Sequence, residues 1–226
     1  SVFILKYALR FDMADINKGL EQAVDADERY SWLAIKSASH VAHGEYDKLQ
    51  SCTQDALRSL PEKRRNYHAA WILYFRGLLM HAQGKSLPAI RYYQIGDSLG
   101  MIEKEFNLAC KAKFAIADLQ RQAGNYPAAM NRIQEAEALA AEHHLLFDLL
   151  EAKCRYLSVF IEANSRQQDT LYLMQANRLM DSIFAIPKIP IMYLAYVQAE
   201  AGAVALKRKQ YGRAKTMFEE SAKNSI

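Results

Sequence analysis

Three glycines stand at a constant spacing of 40, at Gly44, Gly84 and Gly124, and each sits in similar surroundings. The segments are His43-Gly44-Glu45-Tyr46, Gln83-Gly84-Lys85-Ser86 and Ala123-Gly124-Asn125-Tyr126. Each follows a long stretch of helical periodicity and precedes another. Glycine enters the left-handed region without steric cost, so this pattern reads as a helix C-terminus, a very short turn and a new helix. The next step of 40 lands on Asn164, which also tolerates that geometry. A fifth copy, shifted by five, runs Lys209-Gln210-Tyr211-Gly212. A chain built this way folds as a series of antiparallel helix pairs.

Composition agrees. There are 34 alanines but only 9 glycines and 5 prolines in 226 residues. Small side chains with few helix breakers favour closely packed helices and argue against an all-β fold. The expected helices cover 2–10 and 13–25, 28–43 and 46–59, 64–83 and 86–99, 103–123 and 126–141, 146–162 and 166–184, and 190–208 and 211–223. The fold class expected is all-α: a single domain over 1–226, formed as a right-handed superhelix of helix pairs. Its repeats lie near 28–61, 64–100, 103–141, 146–184 and 190–223. Ala89, Ala129 and Ala214 recur at one position of the second helices. Gly77 and Gly202 recur in first helices, where a close crossing is a reason to tolerate the propensity cost of about 1 kcal/mol. A compact bundle and a HEAT-type array are the alternatives.

The run Gly124-Asn-Tyr-Pro-Ala-Ala-Met, continuing to Gln134-Glu-Ala-Glu-Ala-Leu-Ala, resembles the centre of a tetratricopeptide repeat. So does the set Gly77, Gly84, Ala89, Tyr93 and Gly96. The resemblance covers roughly 28–223, is strong over 64–141 and 195–222, and is poor over 146–184. The long repeat is similar to the sensor arrays of bacterial transcriptional regulators of the maltose-activator type. That resemblance implies recognition of an effector or partner and relay of the bound state to another domain. Carboxylate-clamp versions of the repeat want asparagine where this chain has Phe75 and Ala115, so a chaperone-tail receptor is not expected.

First helices of such a solenoid line its hollow. One stripe through them collects Trp71 and Tyr74; Lys111, Phe114, Asp118 and Arg121; Arg155; and Tyr196. These eight are the candidate groove for a protein, a peptide or a small polar effector. Trp71 reads equally well as core, and Asp118 with Arg121 as a salt bridge.

No catalytic site, cofactor or metal is expected. His40 and His43 lack a third ligand, and His143 and His144 point about 100° apart on a helix. Cys52, Cys110 and Cys154 are too widely spaced for a CxxC site, which suits a reducing, cytoplasmic setting. The formal net charge of +4 is too thinly spread for direct nucleic-acid binding. No apolar run suits a membrane span. A homo-oligomer remains compatible with the sequence. The chain opens on Ser1-Val2-Phe3-Ile4 rather than on methionine, which reads as a piece of a longer protein.

Overall fold

The structure is a computed structural model, and it describes residues 11–59, 67–168 and 170–224. The expected helix at 2–10 lies outside these, as does the start of the one expected at 64–83. Eleven α-helices and no strands occur among the described residues. They are α1 (Met13–Gln22), α2 (Ala26–Ala42), α3 (Tyr46–Ser59), α4 (Tyr67–Ala82), α5 (Ser86–Ile102), α6 (Phe106–Gln122), α7 (Tyr126–Glu142), α8 (Leu146–Gln167), α9 (Thr170–Phe184), α10 (Ile191–Lys207) and α11 (Tyr211–Asn224). None is long and apolar enough to cross a membrane.

The chain divides into two compact units, Ser1–Ile116 and Ala117–Ile226. In the first unit α2 packs on both α3 and α4. In the second, α8 packs on both α9 and α10. Each of these helices therefore touches its own partner and the first helix of the next pair, which is the contact pattern of a helical repeat.

The turns share one geometry. Gly44 N–H donates to Val41 O (3.1 Å) and Glu45 N–H to His40 O (2.9 Å). This is the paired closure of a Schellman cap. The same pair of bonds closes the chain at Gly84, Lys104, Gly124, His144 and Lys209. All six have positive φ, between 54° and 78°. The cap thus recurs every 20 residues from 84 to 144, within pairs and between them. Glycine marks only the turns within pairs; Lys104 and His144 take up the left-handed conformation between them.

Two expected turns fall elsewhere. Asn164 lies inside α8, which runs on to Gln167. The residue at positive φ is Gln168, whose N–H bonds Asn164 O at 2.9 Å. Ala163 is fully buried, so the extra turn carries packing as well as backbone hydrogen bonds. In the last pair the left-handed residue is Lys209, while Gly212 sits in the first turn of α11.

Small residues sit where helices approach. Ala89 and Ala129 are fully buried and Ala214 nearly so. A Cβ on Gly77 would lie 2.5 Å from the ring of Tyr93 in α5, and one on Gly202 would lie 2.9 Å from Phe218 in α11. Large side chains fill the rest: Trp71, Phe75, Leu79 and Tyr93 in the first unit, and Leu157, Met180, Ile183 and Val197 in the second.

Glu45 ties one turn to its neighbours. Its carboxylate accepts from Lys48 (2.7 Å) and lies 2.8 Å from Nδ1 of the buried His40. The bond from Lys48 and then that from His40 hold the Glu45 carboxyl well below the ordinary 4.5, at about 2. Because the folded value is depressed, the stabilisation is complete above the unfolded value and is lost as pH falls through about 2. Melting temperatures of the wild type and Glu45→Gln should therefore differ most above pH 4.5 and converge toward pH 2. A gap independent of pH would show that the Glu45 carboxyl does not carry this stabilisation.

Candidate functional site

The second unit contains a cavity of about 480 Å³ walled by the end of α6, the middle of α8 and the start of α10. Its polar wall is part of an alternating chain of six charges, four of which, Glu151, Arg155, Asp118 and Arg121, line the cavity. Glu151 bonds Arg155 at 2.8 Å, one helical turn away on α8. Arg155 reaches across to Asp118 on α6. Asp118 lies 3.6 Å from Arg121, which in turn bonds Glu162 on α8. Arg166, four residues on, bonds Glu162 at 2.7 Å. Each charge meets the opposite sign, and most are half-buried, so water screens the network less than it would a surface pair.

The opposite wall is Tyr196 on α10, with Tyr193 and Met192 beside it. The Tyr196 hydroxyl shares a hydrogen bond with Ser158 Oγ and donates to Cys154 O at 3.4 Å. Burial, and then the charge of Glu200 one turn along α10, push the Tyr196 phenol upward, so it stays protonated and can serve as a hydrogen-bond donor. Burial also raises the Glu200 carboxyl above its usual range, while the bond from Tyr196 opposes that shift. Burial pushes the Cys154 thiol up to about 12, with Glu151 and Glu200 adding to it. That thiol is protonated near neutrality and is not a nucleophile. The arrangement can therefore orient a polar ligand by hydrogen bonds and charge.

Four of the eight groove candidates, Asp118, Arg121, Arg155 and Tyr196, meet in this cavity. The remaining four lie in the first unit. Trp71 and Phe114 are corrected to core: at 0% and 1% exposure neither can touch a ligand. Trp71 packs edge-on against Tyr74 (5.9 Å between centroids) and tilted against Phe75 (5.7 Å). Tyr74 is half-buried and fills the space between Phe75 and Tyr93. Lys111 is half-buried on α6.

Stripe reasoning missed Glu162, Tyr193 and Glu200. The signal was available in part: Glu162 follows Ser158 by four and Glu200 follows Tyr196 by four, which places each pair on one helix face. Among the described residues no three His, Cys, Asp or Glu side chains gather as a metal site. His40 instead pairs with Glu45, and the three cysteines are buried and not joined in disulfides.

No protein-family model matches the chain, and no curated protein matches it. A solved structure, described as BtubC (BKLC) from P. vanneervenii, superposes with a TM-score of 0.63. The match covers 98% of this chain and 89% of that one at 14% sequence identity. The likeness is one of fold.

Proposed function

We propose that the chain is a non-catalytic binding module whose second unit takes a peptide segment or small polar effector, as the sensor region of a cytoplasmic bacterial transcriptional regulator. The repeat type we infer is tetratricopeptide-like, in its long form, with right-handed stacking of the pairs. The observation that carries the reading is the alternating chain of six charges, four of which line a 480 Å³ cavity together with Tyr196. The size falls within the range of small-ligand sites, and the arginines are held in place before any ligand arrives.

Melting-temperature shifts of the chain with a panel of sugars and short peptides test this, since a ligand bound only to the folded state raises the midpoint. Arg121→Met should lower the affinity of an active compound about tenfold or more while leaving helicity intact. Glu162 retains Arg166 and Asp118 retains Arg155, so neither acid is stranded. Unchanged affinity in that variant removes the cavity from the reading. A DNA-binding domain encoded beside this segment would support the regulator role.

A second reading, a free-standing scaffold or secretion-type chaperone, is favoured by the last helix pair. There Ile191, Tyr211 and Phe218 are 60%, 64% and 41% exposed, enough apolar surface to receive a protein. Capture of a folded protein partner, with no response to small compounds, would select it.

A further inference from the structure

The first unit holds a separate cavity of about 550 Å³, walled by α1, α2 and α3. Arg29, Leu33 and Lys36 enter it from α2 at steps of four and three, so they share one helix face. Leu20 lines it from α1, and Lys48 and Cys52 from α3. The wall carries three permanent cations, Arg29, Lys36 and Lys48, against one acid, Asp55.

The cations are not equally compensated. Lys48 is neutralised by Glu45 at 2.7 Å. Asp55 is well exposed and points to Arg58 at 3.9 Å. Lys36 is half-buried, and its ammonium donates to the uncharged Asn17 Oδ1 at 2.8 Å. Among the described residues neither Lys36 nor Arg29 has a carboxylate partner. Seven residues of helix separate these two by about 10 Å. The cavity therefore presents positive charge without a counter-charge beside the apolar side chains of Leu20 and Leu33. Lys36, half-buried beside these leucines, is screened less than a charge on open surface, and the exposed Arg29 adds its charge at the rim. The unit-two cavity differs in kind, because its arginines are already paired.

We propose that this cavity binds a small amphipathic organic anion. Its carboxylate or phosphate head lies at Lys36 and Arg29, and its hydrocarbon part lies against Leu20 and Leu33. The site is independent of the cavity in the second unit.

Titration calorimetry on the whole chain tests it with four probes: octanoate, octyl phosphate, 1-octanol and an amidated hexaglutamate peptide. One or both anionic amphiphiles should bind, and which one does identifies the head group. Octanol at the same concentration should not bind. Arg29→Gln, at an exposed position, and Arg29→Gln with Lys36→Gln should weaken binding at least tenfold for the double variant, with unchanged circular dichroism. Arg29→Lys should retain most of the affinity. Raising salt from about 0.05 to 0.5 M should weaken binding. Arg121→Met should leave it unaltered, which separates this site from the one proposed above. Absence of binding by both anions, equal binding of octanol, full affinity in Arg29→Gln with Lys36→Gln, or binding of the peptide alone would each overturn the proposal. If the double variant fails to fold, Arg29→Gln alone decides, and full affinity there overturns it equally.

Discussion

Replacing Trp71 with alanine is expected to cost about 3–5 kcal/mol of folding stability, among the largest effects a single core truncation produces. Trp71 is fully buried and braces Tyr74 and Phe75 on its own helix. Removing the indole strips apolar contacts and leaves a hole that these two rings cannot both fill. Its Nε1 is buried without a hydrogen-bond partner, so a smaller aromatic ring relieves one cost while adding another. Trp71→Phe should therefore lose much less than Trp71→Ala. Urea unfolding followed by circular dichroism measures both. A wild-type midpoint for Trp71→Ala would return Trp71 to the surface role that the first-helix stripe suggested.

Adding one methyl group at Gly77 should also be costly, even though alanine is the better helix former by about 1 kcal/mol. The new Cβ would fall 2.5 Å from Tyr93 Cε1 and 2.6 Å from Cδ1. Tyr93 is itself fully buried and backed by Tyr74, so its ring has nowhere to go. Overpacking of this kind costs about 1–3 kcal/mol or more, which outweighs the gain in propensity. Gly77→Ala should therefore lower the unfolding midpoint. Gly202→Ala is the matched control. Its Cβ would meet Phe218 at 2.9 Å, but Phe218 is 41% exposed and can swing outward. That variant should stay within about 0.5 kcal/mol of wild type. Equal losses at the two sites would show that burial of the opposing ring does not set the cost.

These contrasts show why two glycines at equivalent positions differ in consequence. The repeat places both opposite an aromatic ring. Whether the ring can yield depends on what lies behind it, and that differs between an interior pair and the last one.

The turns were legible because a left-handed residue is a local requirement of the backbone, and glycine meets it most cheaply. Gly44, Gly84 and Gly124 could thus be read without knowing any contact. The equivalent turns at Lys104 and His144 carry no glycine and were invisible as left-handed positions. Asn164 misled because tolerance of that conformation is not a demand for it; the buried Ala163 beside it keeps the helix going.

The candidate site was only half legible, for a different reason. A first helix in a stacked pair has more than one packed face, and periodicity cannot say which stripe residues meet core and which meet solvent. Trp71 and Phe114 went to the core, whereas Asp118, Arg121, Arg155 and Tyr196 went to a cavity. The residues alone determined that this chain is helical, that it repeats, and where half of its turns fall, because those are properties of single helices and their ends. Only the tertiary structure decided that Arg155 faces Asp118 across 37 residues of chain, and that Lys36 meets the neutral Asn17 instead of an acid. Those pairings depend on how one helix is rotated against the next, and close packing over many side chains sets that rotation.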